Sequence, residues 1–164
     1  MMRPPSGLEC FNLRPGELHL ARSPAILQTI LGSCVGATFW SERLGAGALC
    51  HGVLPRSPVE WPPGSTVSDG YYYVDFSIRY LAHQFDALGA RRAEVQVKLF
   101  GGADVLTMGT GGKPTVGALN CRAAEEVLAE EGLRVLASDL RGVRGRKLQF
   151  HTGTGEVLVQ RLAG

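Results

Sequence analysis

The chain has 164 residues, of which 45% are hydrophobic and 20% are charged, and its formal net charge is +2. This length suits one domain with a real hydrophobic core. The small net charge and the dispersed basic residues argue against nucleic acid or a membrane surface as a partner, and no apolar run approaches the ~18 residues of a membrane-spanning helix.

Cysteine usage indicates a reduced setting. The four cysteines form no C-x-x-C pair, and no secretory signal precedes them: Cys10, Cys34, Cys50 and Cys121. We therefore expect free thiols and a cytoplasmic location. The four histidines are scattered and give no ligand spacing, so we expect neither a metal nor another cofactor.

The N-terminal third predicts an arm followed by strands. Residues 1–15 contain several prolines and lack periodicity, so we expect a loose arm, with a single domain over 16–164. Residues 17–21 alternate between polar and apolar, and the run 25–31 is apolar with β-branched residues, so both predict strands. Residues 35–50 then read as a strand, a glycine-containing turn and a second strand, which is a β-hairpin.

The middle of the chain predicts a loop, a helix and a strand. Residues 55–70 are proline-rich and predict a functional or mobile loop, in which Trp61 either contacts a substrate or packs as a plug. Helical spacing of apolar residues predicts a helix over 75–88 that Gly89 ends. Residues 93–100 alternate as a half-buried strand, and the glycines that follow predict tight turns.

The C-terminal part predicts one more helix and three short strands. The helix is expected over 120–131 with Asn120 as its N-cap, and the strands over 134–137, 147–151 and 156–162. Strands with two clear helices predict an α+β fold. A basic cluster indicates either a solvated loop or contact with an acidic protein surface, and its members are Arg141, Arg144, Arg146 and Lys147.

One cysteine and one histidine form a candidate nucleophile and base. Cys34 is flanked by small residues, and a free cysteine is mostly protonated at neutral pH, so it needs a neighbouring base to act as a nucleophile. The hairpin can bring the imidazole of His51 back towards Cys34. The alternative is that both are core residues, since unpaired cysteine is often buried.

The segments LGSCVGATFW and GALCHGVLP resemble the chemoreceptor glutamine deamidase family, CheD. Further blocks follow in the same order, and similarity extends from about residue 17 to 160. The resemblance implies that Cys34 is the nucleophile and His51 its partner, on a layered sheet/helix fold related to the cysteine-deamidase toxins. One departure is Arg141, which stands where the family usually has a glycine.

The resemblance also implies a threonine upstream of the cysteine that orients the histidine. We predict Thr29, although some family members place threonine where Gln28 stands. Side chains alternate along a strand, so only one of these two residues can readily face the imidazole. Because a hydroxyl can accept the imidazole N–H without bulk, Thr29 is the better candidate.

The function that the resemblance implies is hydrolysis of glutamine side chains in the cytoplasmic domains of chemoreceptors during chemotaxis. In some systems a CheC-type phosphatase is a regulatory partner. The alternative is a binding module without turnover that docks on receptors or on such a phosphatase. The residues Cys34 and His51 favour the enzyme.

Overall fold

The computed structural model describes residues 7–65, 67–105 and 110–163. In these ranges two α-helices and nine strands form three layers, with a five-stranded sheet between the helices and a four-stranded sheet. The helices are α1 (Val74–Ala87) and α2 (Val116–Glu130). The strands are β1 (Glu9–Asn12), β2 (Leu18–Ala21), β3 (Ala25–Leu31), β4 (Val35–Ser41), β5 (Ala46–Gly52), β6 (Gln96–Gly101), β7 (Val135–Leu140), β8 (Arg146–His151) and β9 (Val157–Arg161). The layered α+β fold expected from the sequence is confirmed.

The five-stranded sheet has the order β2-β5-β4-β6-β7. Strands β4 and β5 are the antiparallel hairpin predicted from the sequence, in the register that places Gly36 opposite His51. Strand β6 pairs antiparallel with the other edge of β4, and β7 pairs parallel with β6. The hairpin that carries both candidate catalytic residues therefore lies in the middle of this sheet.

The four-stranded sheet has the order β1-β3-β8-β9. Strand β3 runs antiparallel to β8, and β1 adds to its other side in parallel. Part of the segment expected to be a loose arm is thus a strand, because residues 9–12 pair with residues 25–28. Residues 1–6 of that arm lie outside the described residues.

Two apolar clusters occupy the two faces of the five-stranded sheet. Alternate residues of β4 and β5, such as Phe39 and Ala48, pack against the helices. The opposite residues, such as Leu49, pack against β3 and β8 through Leu31 and Phe150. Since His51 has the parity of Leu49 along β5, its side chain belongs to the face between the two sheets.

Helix α2 begins earlier than the sequence predicted. Its N-cap is Thr115, whose side-chain oxygen accepts from the N–H of Ala118, so the predicted N-cap Asn120 is wrong. A threonine oxygen in that position satisfies one of the free N–H groups of the first turn. Asn120 is instead fully buried within the helix, with consequences described below.

Strand β6 begins three residues later than predicted. A 3-10 turn over Arg92–Glu94 precedes it, and the side chain of Glu94 accepts from the N–H of Arg91 and from the guanidinium of Arg43. These hydrogen bonds hold the start of the alternating run in a turn.

The basic cluster does not act as one solvated group. Arg146 is completely buried and donates to the carbonyl oxygens of Gly101, Asp139 and Arg141, whereas Arg144 is exposed. Arg141 has a positive φ of 70°, a conformation that glycine adopts at little cost. This backbone conformation explains why a glycine would suit the position of Arg141.

Candidate active site

The imidazole of His51 is held by a threonine from the facing sheet. The Oγ1 atom of Thr29 lies 2.7 Å from Nδ1 of His51, and the same hydroxyl donates to the carbonyl oxygen of Leu13 at 2.8 Å. Since a hydroxyl has one proton and Leu13 receives it, Thr29 must accept the proton of Nδ1. This arrangement selects the tautomer in which Nε2 has a free lone pair.

Gln28 lies on the other face of β3, away from the imidazole. Its side-chain amide donates to Oδ1 of Asn12 at 2.5 Å, and its oxygen accepts from Gln149 at 3.3 Å. Thr29 is therefore the residue of the two that contacts His51, while its role in a reaction stays a prediction.

Burial keeps the imidazole of His51 neutral. Its side chain is 2% exposed, and this burial lowers the pKa of His51 to about 4, although the charge of Glu17 acts in the opposite direction. The Nε2 atom is buried and has no hydrogen-bond partner among the described residues. At neutral pH the ring therefore offers an unprotonated nitrogen that can accept a proton.

Cys34 immediately precedes β4 and packs with the cluster between the two sheets. It stands two residues before Gly36, the partner of His51 across the hairpin, so the thiol and the imidazole lie on the same side of the five-stranded sheet. The side chains of Leu31 and Leu148 pack over Gly36, which leaves no room for a side chain at that position. No hydrogen bond joins Cys34 Sγ to His51 in the described part of the chain.

Two glycines allow the chain to pass close to Cys34. The N–H of Gly102 donates to the carbonyl oxygen of Cys34 at 2.9 Å. A Cβ atom on Gly101 would lie 2.2 Å from that same oxygen, and both glycines have positive φ values. The tight turns predicted here are therefore required by the approach of β6 to the cysteine.

The other thiols differ in their surroundings. Burial raises the pKa of Cys34, while its own backbone N–H acts in the opposite direction. Cys50 is fully buried on the helix side, and burial raises its pKa to about 12. Burial also raises the pKa of Cys121, and Cys10 is exposed. Among the four, Cys34 alone lies on the face that carries His51.

Sequence reasoning missed Asn120 as a residue of this site. Its amide nitrogen donates to the carbonyl oxygens of Ser33, at 2.9 Å, and Val53, at 3.0 Å. One of these residues precedes Cys34 and the other follows His51 by two positions. The signal in the sequence was an asparagine at an interior, otherwise apolar helix position, which the misplaced helix start concealed.

The proline-rich loop packs on α1. The ring of Trp61 lies 5.5 Å from that of Phe76 and 5.0 Å from that of His83, measured between centroids. These contacts account for Trp61 as a packing residue. The described residues include no group of three His, Cys, Asp or Glu side chains that could hold a metal ion.

An open groove of about 710 Å³ is lined by neither His51 nor Cys34. Leu13 and Glu17 line this groove, and both contact the Thr29–His51 pair through their backbones: Leu13 accepts from Thr29, and Glu17 accepts from the N–H of His51. Because the groove does not include Cys34, we do not assign the reaction to it.

Comparison with known proteins identifies the family. A family model described as CheD chemotactic sensory transduction matches residues 53–161, a range that begins after Cys34 and His51. The probable chemoreceptor glutamine deamidase CheD 2 of Geobacter sulfurreducens is 45% identical over 150 residues, which cover 92% of this chain and 88% of that protein. The part of this chain outside the match is shorter than the 28 residues before Thr29. The match therefore extends over the positions of Thr29, Cys34 and His51.

Two further proteins are similar. The probable chemoreceptor glutamine deamidase CheD of Oleidesulfovibrio alaskensis is 38% identical over 162 residues, covering 95% of this chain and 74% of that protein. A solved structure of a DUF152 protein from Neisseria meningitidis has a TM-score of 0.43 at 14% identity, covering 84% of this chain and 64% of that one, a likeness too distant to carry an argument. On the family model and the two deamidase relatives, the chain belongs to the CheD family.

Proposed function

We propose that this protein hydrolyses the side-chain amide of glutamine residues in the cytoplasmic domains of chemoreceptors. Its relatives are named chemoreceptor glutamine deamidases. The observation that carries the proposal is the hydrogen bond from His51 to Thr29, which leaves Nε2 unprotonated on the sheet face that Cys34 shares. A thiol beside an oriented imidazole is suited to attack on an amide carbon.

In the first half of the reaction, Sγ of Cys34 bonds to the carboxamide carbon and its proton passes to Nε2 of His51. The imidazolium then donates this proton to the departing nitrogen, so the C–N bond breaks and ammonia leaves. The product is a thioester between Cys34 and the glutamyl side chain. Thr29 keeps Nδ1 protonated throughout and so keeps Nε2 as the atom that exchanges protons.

In the second half, a water molecule takes the place of ammonia. His51 accepts a proton from the water as the water oxygen attacks the thioester carbon. The C–S bond then breaks, the imidazolium returns the proton to the sulfur of Cys34, and the glutamyl side chain is released as a carboxylic acid that ionises. The net change consumes one water and yields one carboxylate and one ammonium ion.

The resting pair is a neutral thiol and a neutral imidazole. Burial raises the pKa of Cys34 and lowers that of His51, so both shifts disfavour a resting thiolate–imidazolium ion pair. Proton transfer then accompanies attack on bound substrate instead of preceding it. This restricts the formation of thiolate to encounters with a carboxamide.

We further propose that the protein acts in the cytoplasm and that a CheC-type phosphatase is a regulatory partner in chemotaxis. Neither helix in the described ranges is long and apolar enough to cross a membrane. The relatives are named as chemoreceptor glutamine deamidases, which supports a location where chemoreceptors are accessible.

The test is mass spectrometry of a purified chemoreceptor cytoplasmic fragment incubated with the protein. Wild-type protein should add about one dalton per modified glutamine and release ammonia, whereas Cys34→Ala should do neither, because no other thiol shares the face of His51. Cys10→Ala is the matched control and should retain activity. Binding of the fragment without any mass change would support the non-catalytic module instead.

A further inference from the structure

Asn120 connects the two segments that carry the candidate catalytic residues. It lies in α2 with its side chain 0% exposed, and its amide nitrogen donates to Ser33 O at 2.9 Å and to Val53 O at 3.0 Å. Both partners are carbonyl oxygens, so the amide must present its nitrogen to them, and the orientation of the side chain is settled by its neighbours.

The amide lies where the pairing of β4 with β5 ends. The last partners at this end are Val35 and Gly52, and the next position along the two chains would pair Cys34 with Val53. Instead, Val53 donates to the carbonyl oxygen of Tyr72, and the carbonyl oxygen of Cys34 accepts from Gly102. The two strands therefore separate at Cys34, and Asn120 bridges the gap.

The bridge also sets the direction of one peptide group. In a trans peptide the C=O and N–H point in opposite directions, so Asn120, by binding the carbonyl of Ser33, directs the N–H of Cys34 away from α2. The thiol packs on the face of the sheet opposite to the helices. Within the described part of the chain, this N–H has no backbone acceptor.

We propose that Asn120 is a positioning residue that fixes the Ser33–Cys34 peptide so that the N–H of Cys34 serves as an oxyanion donor beside the thiol. The proposal rests on the amide hydrolysis proposed above. An N–H held in place before the reaction stabilises the negative oxygen that develops when sulfur adds to the carboxamide carbon. The same N–H also favours the thiolate, so it opposes the rise in the Cys34 pKa that burial causes.

If Asn120 had only a structural role, its replacement would change the stability of the protein without changing the pKa of Cys34. The Oδ1 atom of Asn120 is buried without a partner in the described residues, so leucine, which has a similar shape, removes that unpartnered atom together with the two donors. Gln149 is a matched control, because it is also a buried side-chain amide, 3% exposed, but donates to Gln28 on the face of β3 turned away from His51.

The experiment compares Asn120→Leu and Gln149→Leu in full-length protein that carries Cys10→Ser, which removes the exposed thiol. Two quantities are measured: kcat and KM for ammonia release from a receptor fragment, and the pH profile of iodoacetamide alkylation at Cys34. We expect Asn120→Leu to lower kcat by roughly 10- to 1,000-fold with KM changed less than threefold. It should also raise the measured pKa of Cys34 by roughly half a pH unit or more, whereas Gln149→Leu changes neither.

A folded Asn120→Leu variant with wild-type kcat and an unchanged Cys34 alkylation profile would overturn the proposal. The alkylation profile needs no substrate, so it tests Asn120 even if the wild-type protein releases no ammonia, a result that would refute the proposed function instead. If Asn120→Leu does not fold, Asn120→Asp replaces the donor nitrogen by oxygen at nearly constant shape. If that variant also fails, a crystal structure of wild-type protein alkylated at Cys34 decides: an N–H of Cys34 turned away from the added amide oxygen refutes the proposal, and one bonded to it supports it.

Discussion

Replacing Thr29 by valine should separate the orientation of His51 from its presence. Valine has the shape and the β-branched side chain of threonine, so β3 and its packing are retained. The variant loses the oxygen that accepts from Nδ1 of His51 and the proton donated to Leu13. Leu13 lines an open groove, but the contact of its carbonyl oxygen with Thr29 is buried, and His51 is only 2% exposed.

The expected loss of kcat/KM in Thr29→Val follows from the imidazole N–H that is left without a hydrogen-bond partner. A buried donor in that state costs about 1–3 kcal/mol, which the ring avoids by turning over or by changing its tautomer. Either change removes Nε2 from its role as proton acceptor. If the loss appears in the transition state, kcat/KM falls roughly 5- to 150-fold. The loss should be smaller than the 10²–10⁴-fold expected for His51→Ala, since the imidazole itself remains.

The assay is ammonia release from a receptor fragment, with urea unfolding and ¹⁵N spectra of the imidazole recorded on the same samples. Thr29→Ser retains the hydroxyl and should stay within about threefold of wild type. Gln28→Ala should be nearly silent, because its amide faces Asn12 and Gln149. Unchanged turnover and an unchanged Nδ1–H signal in folded Thr29→Val, or a larger loss in Gln28→Ala, would show that the threonine does not orient the imidazole.

Three further outcomes are expected. Cys34→Ala should abolish turnover with the same free energy of unfolding within about 1 kcal/mol, because the thiol is only half-buried; ammonia release by this variant would refute the nucleophile. The pKa of His51 is about 4 in the folded protein and 6.5 in the unfolded chain, so the unfolded chain gains the proton first as pH falls. Wild type should therefore lose about 3 kcal/mol of stability between pH 6.5 and 4, and His51→Gln should not. Equal pH slopes of the two proteins in urea titrations would contradict this. Arg141→Gly should raise the free energy of unfolding by about 1 kcal/mol, because glycine adopts the φ of 70° without strain and the exposed ion pair with Asp104 contributes little. A destabilised variant would mean that this ion pair outweighs the backbone strain.

Several strands, and the hairpin that carries His51, were predictable from local patterns. The strand of residues 25–31 and the hairpin that follows it are recognisable because alternation and turn residues act within a few positions along the chain. The hairpin alone is enough to bring His51 back towards Cys34. Alternation along the strand showed only that Thr29 and Gln28 point to opposite faces, and the choice of Thr29 came from the resemblance to the CheD family and from the chemistry of its hydroxyl.

Contacts between elements distant in sequence were decided by the tertiary structure. Thr29 reaches His51 because the two sheets pack face to face, and the tautomer depends on a carbonyl from a segment that read as a loose arm. Arg146 appeared to belong to a solvated basic cluster, yet it is buried because three backbone carbonyls converge on its guanidinium. Asn120 resembles a helix cap in sequence and becomes a bridge between Ser33 and Val53 only when α2 packs on the sheet. A polar residue's partners are set by packing, and composition and periodicity along one element carry no information about which backbone groups another element will present.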